Sequence, residues 1–410
     1  MNYDWVIVGG GIVGLTIARH LRTRFPKDSI AIFEKETSLG AHASGRNSGV
    51  LHAGIYYTPG TLKARLSVEG AQLLRDYCLE RSLPFMACGK ILVPMEASHQ
   101  RQISTLVKNA LSNGVSVQVL DRVELLKREA RLAPHIEEGL YSPDTSVFAP
   151  LSVMKSLADE LIQKSLALYM GEPVLQFHMK TRSLKTPHST YSYGHLINAA
   201  GAYAVDIAHA YGVARQYSIL PFKGSYYKLK PESAEKIRHH IYPFPDLRLP
   251  FLGVHFTKSL DGTVYVGPNA FPAFGLENYR SLKGVDWNRL PSFFSKLAWQ
   301  YFKNENGLRQ HIHNEVYRFS KSNFLKEAKK LVHDLQADDL LPTSKVGIRP
   351  QLYNKSDRSL VMDFLIEKGP HSTHVLNAVS PAFTCSLSFA KFLVEQLGTC
   401  EVTRSQGGSQ

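Results

Sequence analysis

The sequence predicts an α/β protein of mixed α+β character, in which a discontinuous parallel-sheet domain is interrupted by a domain of mixed and antiparallel sheet. Three observations predict this class. A strand, a glycine-rich turn, a helix and a second strand open the chain at residues 5–34. Helix and strand patterns return at residues 151–211 and 373–397. Between them, residues 221–267 alternate aromatic, β-branched and turn residues, as antiparallel strands do.

The size and composition are typical of a globular protein. A chain of 410 residues with 44% hydrophobic and 20% charged residues suits two joined domains. No apolar run reaches about 18 residues, so we expect no membrane-spanning helix. The start of the chain lacks a signal-peptide pattern. The four cysteines form no CxxC pair and no metal-ligand spacing, which favours reduced thiols in a cytoplasmic protein over a disulfide framework and predicts no metal site.

The first strand and helix carry a phosphate-binding pattern. The apolar, β-branched run 5–8 is typical of a buried parallel strand, and Gly9, Gly11 and Gly14 follow it in GxGxxG spacing. The first glycine permits a tight turn, the second lets a pyrophosphate approach the backbone, and the third lets helix and strand pack closely.

The residues around this turn complete a dinucleotide fingerprint. The helix that begins at Ile12 and Val13 offers unpaired N–H groups and a positive dipole end to phosphates. A second strand, 30–33, ends in Glu34, whose carboxylate can accept both ribose hydroxyls, and Lys35 follows. Together these parts predict a Rossmann-like dinucleotide-binding domain.

A second polar loop helps to distinguish a flavin from a nicotinamide cofactor. The segment Ser44-Gly45-Arg46-Asn47-Ser48-Gly49 is small and polar, and it leads into an apolar stretch that carries His52. A nicotinamide enzyme would normally continue here with another strand and helix, whereas a loop that returns toward the nucleotide favours a flavin. A surface linker is the alternative interpretation, and the apolar residues on both sides of the loop argue against it.

The remaining pattern sets the domain boundaries. Helices are predicted at 61–81, 99–113, 151–167, 203–211, most of 286–340 and about 383–397, and strands at 89–93, 172–177, 195–198 and 373–377. Val174 lies in one of these strands, and Asn198-Ala199-Ala200-Gly201 forms a turn where backbone can approach a cofactor a second time. We therefore assign the nucleotide-binding domain to 1–85, 145–215 and 345–400, the substrate-binding domain to 86–144 and 216–344, and a flexible tail to 401–410.

Several strings resemble one family of flavoproteins. Residues 44–60, Ser-Gly-Arg-Asn-Ser-Gly-Val-Leu-His-Ala-Gly-Ile-Tyr-Tyr-Thr-Pro-Gly, are similar to a segment of L-2-hydroxyglutarate dehydrogenases and oxidases, within the D-amino-acid-oxidase-like (glycine-oxidase-like) superfamily of FAD-dependent oxidoreductases. Further similar strings lie at 221–227, 250–257, 267–270, 346–351 and 376–382. The resemblance runs from about residue 3 to 397.

This resemblance implies FAD as cofactor and the oxidation of L-2-hydroxyglutarate to 2-oxoglutarate. Hydride would pass from C2 to flavin N5, and electrons would pass on to oxygen or a membrane quinone. Another small substrate, such as an amino acid, sarcosine, glycine or glycerol 3-phosphate, is the alternative interpretation.

The expected flavin contacts come from both ends of the chain. They are Gly9, Gly11, Ile12, Val13, Gly14, Glu34, Lys35, Ser44, Arg46, Asn47, Ser48, Val174, Ala200, Gly201, Asn377, Ser380, Pro381 and Ala382. A last helix that begins near Pro381 and points at the isoalloxazine would stabilise negative charge at N1 and the C2 oxygen of reduced flavin through its dipole.

Oxidation of a 2-hydroxy acid requires a base for the hydroxyl proton, and histidine suits that role. His52 and His255 are the candidates, because each lies in an apolar, glycine-flanked segment that the resemblance brings near the flavin. We rank His255 above His52 as the base. The other histidine would polarise the hydroxyl or anchor a carboxylate, and a structural role is the alternative for each.

A dicarboxylate substrate brings two negative charges into a partly dry pocket, and each needs a charge-assisted partner. Arg349, flanked by apolar Ile348 and by proline, is predicted to bind the C1 carboxylate, with an ion pair inside the fold as the alternative. Lys223 is the candidate for the distal carboxylate, helped by the hydroxyl of Tyr226 or Tyr57. Two positions depart from the family pattern, which has arginine at 223 and an acid at 225; lysine keeps the charge but loses bidentate geometry.

The formal net charge of +13 fits nucleic acid, an anionic membrane surface or the steering of acidic substrates. The basic residues are scattered, and no basic stripe with interleaved aromatic residues is present, so we expect no nucleic-acid partner. A basic soluble surface and peripheral contact with the inner face of the cytoplasmic membrane both stay open. So do a membrane quinone and an electron carrier protein as partners.

Overall fold

A computed structural model describes residues 1–96, 99, 101–247, 251–304, 307–378 and 380–405. Its strands are β1 (Asn2–Val8), β2 (Ile30–Glu34), β3 (Val50–Leu51), β4 (Phe85–Ala87), β5 (Lys90–Val93), β6 (Gln118–Asp121), β7 (Glu138–Ser142), β8 (Ser146–Phe148), β9 (Ala167–Met170), β10 (Gln176–His178), β11 (Ser183–Lys185), β12 (Thr190–Asn198), β13 (Tyr217–Leu229), β14 (His240–Pro243), β15 (His255–Lys258), β16 (Val264–Gly267), β17 (Phe271–Pro272), β18 (Leu340–Asn354), β19 (Ser359–Leu360), β20 (Leu365–Gly369) and β21 (Ser372–Asn377). Its helices are α1 (Ile12–Arg24), α2 (Leu62–Glu80), α3 (Gln102–Ser112), α4 (Arg122–Arg128), α5 (Pro150–Gln163), α6 (Ala204–Ala210), α7 (Pro231–Ala234), α8 (Leu290–Lys303), α9 (Leu308–Tyr317), α10 (Lys321–Lys329) and α11 (Ser386–Ser405).

The first large sheet has a parallel centre in the order β21-β12-β1-β2-β9. Residues 5–8 of β1 are buried, because apolar side chains cover both faces of a central parallel strand. The inner faces of α1, α2, α5 and α11 pack into the core beside this sheet. An antiparallel hairpin, β10–β11, joins β12, and β20 pairs antiparallel with β21.

The second large sheet has ten strands, nine of them in the order β19-β18-β13-β16-β15-β14-β5-β7-β6. Its pairs are antiparallel except β14–β5. The longest pair is β13–β18, which runs from Tyr217 opposite Asn354 to Leu229 opposite Leu340. The α/β class with mixed α+β character, and the antiparallel pattern predicted for 221–267, are therefore confirmed.

Some predicted elements differ from the structure. The strand predicted at 172–177 is wrong: Gly171 has a φ of +70° and Pro173 cannot donate to a ladder, so β9 ends at Met170 and β10 begins at Gln176. The last helix begins at Ser386 rather than about 383, because the chain from Pro381 to Cys385 forms turns. The domain boundary at 345 stays a prediction; β18 spans this position and is paired with β13 on both sides of it.

At the C-terminus α11 continues to residue 405, and residues 406–410 of the tail lie outside the described residues. So do Pro250 and Val379, which belong to two of the family-like strings. Among the described residues, no helix combines the length and apolar character that crossing a bilayer would require.

Candidate active site

A cavity of about 630 Å³ opens where the carboxyl ends of β1, β2, β12 and β21 meet the second sheet. Such crevices are the usual ligand sites of α/β sheets. Sixteen of the expected cofactor contacts line it: Gly9, Gly11, Ile12, Val13, Glu34, Lys35, Ser44, Arg46, Asn47, Ser48, Val174, Ala200, Gly201, Ser380, Pro381 and Ala382. The cavity thus gathers residues from both ends of the chain.

Two expected cofactor contacts are not among the lining residues. Gly14 packs against the turn: a Cβ there would lie 2.0 Å from the Gly9 carbonyl oxygen, in keeping with close contact between helix and strand. Asn377 is buried, and its Nδ2 donates to the carbonyl oxygens of Val361 (3.0 Å) and Asp363 (2.6 Å). Asn377 therefore fixes the neighbouring chain rather than facing the cavity.

The glycine turn brings backbone directly against the cavity. Gly9 has a φ of +111°, and a Cβ there would lie 2.5 Å from the Ala199 carbonyl oxygen. The N-cap residue of helix α1 is Gly11, which has no side chain to cap the first turn, and Ile12 N donates to Ser44 Oγ of the polar loop at 3.0 Å. A helix start that begins with glycine leaves its backbone open to an anion.

Glu34 is held by the backbone at the end of β2. Its Oε2 accepts from Gly10 N at 2.8 Å, and its Oε1 accepts from Glu36 N at 2.9 Å. Because two N–H groups orient the carboxylate, it stands at a fixed position beside the glycine turn.

A network of charged and aromatic side chains joins residues 35–46 to residues 277–279 over this end of the cavity; we call Lys35, His42, Arg46, Glu277 and Tyr279 the clasp. Lys35 Nζ donates to Glu277 Oε1 at 2.6 Å. His42 Nδ1 and the Tyr279 hydroxyl are 3.0 Å apart, and the Arg46 guanidinium carbon lies 4.1 Å from the Tyr279 ring centroid.

Three side chains of metal-ligand type converge at the clasp, with ligand atoms of Glu36, His42 and Glu277 within 4.8 Å of one another. Lys35 Nζ lies within hydrogen-bond distance of all three. The ammonium group therefore takes the central position that a metal ion would need.

At the other end of the cavity, His255 lies on β15 as a neutral base. Its Nδ1 donates to the Gly253 carbonyl oxygen at 2.8 Å, so the lone pair is on Nε2. Burial lowers the pKa of His255 to about 4, with smaller contributions from Lys90 and Arg349. The ring is thus unprotonated at neutral pH.

His52 also lines the cavity, on the loop after β3. Its backbone N donates to Thr384 Oγ1 at 3.2 Å, and its Nδ1 is buried without a hydrogen-bond partner among the described residues. Burial, followed by the charge of Lys90, lowers the pKa of His52 well below its ordinary value. Both candidate histidines therefore reach the same cavity in the neutral form.

Arg349 projects from β18 into the cavity wall. Its guanidinium carbon lies 5.8 Å from the Phe251 ring centroid. Burial lowers the pKa of Arg349, while Tyr226, Tyr57 and Tyr56 raise it, so three phenol rings surround this cation. Tyr226 lines the cavity, whereas Tyr57 is not among the lining residues.

The structure does not bring Lys223 to Arg349, although both line the cavity. Phe222 stands opposite Arg349 in the β13–β18 pair, and Lys223 stands opposite Ile348. Since neighbouring residues of a strand point to opposite faces, Lys223 and Arg349 face opposite sides of this pair. Lys223 Nζ instead donates to Asn278 Oδ1 at 3.1 Å, next to the clasp.

Two further groups were missed in the sequence. The clasp residues Glu277 and Tyr279 lie in a loop far along the chain, and no local pattern links them to the nucleotide turn. Lys90 is only 1% exposed, at the first position of the buried strand β5. The sequence did contain a signal for Lys90, because it is a lysine at the first position of an otherwise apolar strand.

A family model described as FAD dependent oxidoreductase, DAO, matches residues 4–396. The chain is 35% identical to the mitochondrial L-2-hydroxyglutarate dehydrogenase of Nematostella vectensis, covering 96% of this chain and 90% of that protein. It is 32% identical to the L-2-hydroxyglutarate dehydrogenase of Escherichia coli K12, covering 99% and 96%.

Solved structures share the fold at lower identity. The L-alpha-glycerophosphate oxidase of Mycoplasma pneumoniae with FAD bound has a TM-score of 0.76 at 21% identity, covering 97% of this chain and 95% of that one. Glycine oxidase from Geobacillus kaustophilus has a TM-score of 0.71 at 18% identity, covering 96% and 94%.

Proposed function

The chain belongs to the DAO family of FAD-dependent oxidoreductases, and on this premise we propose that it oxidises L-2-hydroxyglutarate to 2-oxoglutarate. FAD is its cofactor. The relatives that carry the name L-2-hydroxyglutarate dehydrogenase match it over nearly its whole length, which supports this substrate.

The residues present fit FAD. The glycine N-cap of α1 and the close approach of Gly9 to Ala199 suit a pyrophosphate, and Glu34 is oriented for ribose hydroxyls. Gly201 has a φ of +56° and open space around it, as a backbone that borders a ligand needs. When bound, FAD supplies a two-electron acceptor for the hydrogen that leaves C2 of the substrate.

One observation carries the substrate class: a partly buried arginine and a neutral histidine line the same cavity. Arg349 would bind the C1 carboxylate through two charge-assisted hydrogen bonds, with Tyr226 donating a third. His255 Nε2 would take the proton of the C2 hydroxyl, since only a neutral histidine can accept it. His52 would orient the hydroxyl.

The test is anaerobic bleaching of the flavin absorbance. L-2-Hydroxyglutarate should bleach it, whereas the D-isomer, glycine, sarcosine and glycerol 3-phosphate should not. Bleaching by one of those compounds instead of L-2-hydroxyglutarate would contradict the proposal. An Arg349→Lys variant should weaken substrate binding on the order of 10–100-fold while FAD content stays normal, because lysine loses the bidentate contact.

A stretch of the chain that is rich in exposed aromatic side chains supports a membrane as the place where electrons leave the enzyme. All six strongly exposed aromatic side chains among the described residues lie between 274 and 319: Phe274, Trp287, Phe294, Phe302, Tyr317 and Phe319. Exposed Lys283 and Lys303 lie in the same segment, and exposed Lys321 follows it directly. This combination of aromatic and basic side chains suits the surface of an anionic bilayer, where a quinone could serve as acceptor.

Vesicle sedimentation tests this part of the proposal. The protein should sediment with vesicles of mixed phosphatidylglycerol and phosphatidylcholine and stay in solution with phosphatidylcholine alone. The double variant Phe302→Ser/Phe319→Ser should lose binding, and Leu111→Ser, an equally polar change at an exposed site on α3, should not. Equal sedimentation of all three proteins would contradict it. Reoxidation by a soluble quinone, by oxygen and by a carrier protein then identifies the acceptor.

A further inference from the structure

Lys90 is a buried lysine beside the substrate end of the cavity, outside the set of residues used above. It begins β5 and is 1% exposed. Its Nζ lies 5.2 Å from the ring centroids of both Tyr56 and Tyr242. The ammonium group is therefore held against two aromatic rings in the interior.

The ring of Tyr242 contacts both Lys90 and the candidate base, His255. The ring centroids of Tyr242 and His255 are 4.0 Å apart, and both side chains line the cavity. Tyr56, the other ring against Lys90, also contributes to the electrostatic surroundings of Arg349. Lys90 and Arg349 are thus cations that lie next to tyrosines of this pocket, and Lys345, whose Nζ lies 5.8 Å from the Tyr226 ring centroid, is a third.

No negative partner balances Lys90 within the described part of the chain. No Asp or Glu forms a salt bridge with it there, and the ionisable group that acts on it is the thiol of Cys88. The nearby His240 is neutral, since its Nδ1 accepts from Lys258 N at 3.1 Å and burial lowers its pKa to about 3. A buried cation without a counter-charge is costly.

We propose that Lys90 is a positioning residue for substrate choice: held between Tyr56 and Tyr242, it supplies the second positive charge that, with Arg349, matches a dicarboxylate. This inference rests on the proposed oxidation of a 2-hydroxy dicarboxylic acid and deepens it. The distal carboxylate then balances the charge of Lys90 in the complex. Lys223, on the opposite face of the β13–β18 pair, is not needed for that carboxylate.

The first test compares dicarboxylate and monocarboxylate ligands in the FAD-loaded protein. The dissociation constants of glutarate and butyrate are read from the shift of the flavin spectrum, so no turnover is needed. Lys90→Met should raise the dissociation constant of glutarate on the order of 10–100-fold and change that of butyrate by less than about 3-fold. The reason is that the lost charge acts on the distal carboxylate, which butyrate lacks. Lys90→Arg should recover most of the glutarate affinity. Equal weakening of both ligands by Lys90→Met would overturn the proposal and give Lys90 a structural role.

The unmodified protein provides a second test that no folding defect can obscure. Burial lowers the pKa of Lys90 to about 7. Because Lys90 loses its charge as the pH rises through 7, glutarate should bind on the order of 10-fold more weakly at pH 8.5 than at pH 6. The affinity of butyrate should not show this change. Parallel pH profiles for the two ligands would overturn the proposal.

The other groups around Lys90 do not produce this difference. Burial brings the pKa of His255 to about 4 and raises the pKa of Cys88 to about 11 and of Tyr56 to about 12; the pKa of His52 is lowered well below its ordinary value and that of Tyr242 is raised. Lys63, near Arg349, and Lys345, near Tyr226, have their pKa lowered by burial to about 8. The loss of glutarate affinity that Lys90 produces should therefore have its midpoint near pH 7 rather than near pH 8.

The proposed substrate and the proposed role of Lys90 can be contradicted separately. If L-2-hydroxyglutarate does not bleach the flavin but glutarate binds and responds to Lys90 as described, the substrate proposal fails and the site for a dicarboxylate stands. If L-2-hydroxyglutarate bleaches the flavin and Lys90→Met weakens the binding of glutarate and butyrate equally, only the role of Lys90 is contradicted.

Discussion

Glu277 holds the clasp together, and replacing it by glutamine should release FAD faster. Its Oε1 accepts from Lys35 Nζ at 2.6 Å and from the Tyr203 hydroxyl at 2.8 Å. Both contacts join the loop of the second sheet to the nucleotide side of the cavity. Glutamine keeps the shape of the side chain and removes its charge.

The expected change in the rate of FAD release depends on how exposed the ion pair between Lys35 and Glu277 is. The side chains of Lys35 and Glu277 are 34% and 32% exposed, so solvent screens part of their attraction. Charge-assisted hydrogen bonds contribute about 1.5–3 kcal/mol when shielded, and exposed pairs much less. We therefore expect a loss of about 1–2 kcal/mol, which corresponds to roughly 5–30-fold faster release.

Release is measured by the rise in flavin fluorescence after dilution of the loaded protein, at low and high salt. Salt should speed release from the unmodified protein and have little effect on Glu277→Gln, because the ion pair that salt weakens is gone. Glu69→Gln is the matched control, since it removes an exposed ion pair with Lys391 away from the cavity. Release of FAD from Glu277→Gln at the rate of the control would contradict the role given to the clasp.

Three further outcomes are expected. His255→Gln should slow anaerobic flavin reduction on the order of 10²–10⁴-fold without loss of FAD, and a near-normal rate would remove His255 as the base. Because burial lowers the pKa of His255 to about 4 and the base must be unprotonated, the reduction rate at saturating substrate should stay level from pH 8 to about 5 and fall only below that; a midpoint near pH 6.5 would contradict this role of His255. Gly9→Ala should cost about 1–3 kcal/mol and lower FAD content, because the new Cβ would meet the Ala199 carbonyl oxygen at 2.5 Å in a backbone of φ +111°. Gly60→Ala is the control, because Gly60 has a φ of +85° but open space around it. Its thermal unfolding should show the cost of backbone strain without a steric clash.

The nucleotide side of the fold was accessible from sequence because its signals are local. The glycine turn, the strand that ends in Glu34 and the loop from Ser44 are each continuous segments, and their order along the chain limits how they can meet. The polar loop could be related to the turn because both carry small residues beside apolar strands. Its contact with α1, through Ser44 and Ile12, follows that expectation.

The substrate side was less accessible because it depends on pairing between distant segments. Lys223 and Arg349 are 126 residues apart, and only the register of β13 against β18 reveals that they face opposite ways. A one-residue change of register would reverse the conclusion. The position of Lys90 likewise follows from the parallel pairing of β5 with β14, which no sequence pattern announces.

The strand order also determines when the cofactor pocket can exist during biosynthesis. β21 and the turn up to Thr384 form one wall of the cavity, whereas β1 forms another at the opposite end of the chain. A ribosome must therefore finish nearly the whole polypeptide before the FAD cavity can form. Until then the glycine turn, which is synthesised early, lacks the residues that complete the cavity around it. Loading with FAD is in this sense a late event, and newly made chains depend on the last strand and helix to protect apolar surface that was synthesised first.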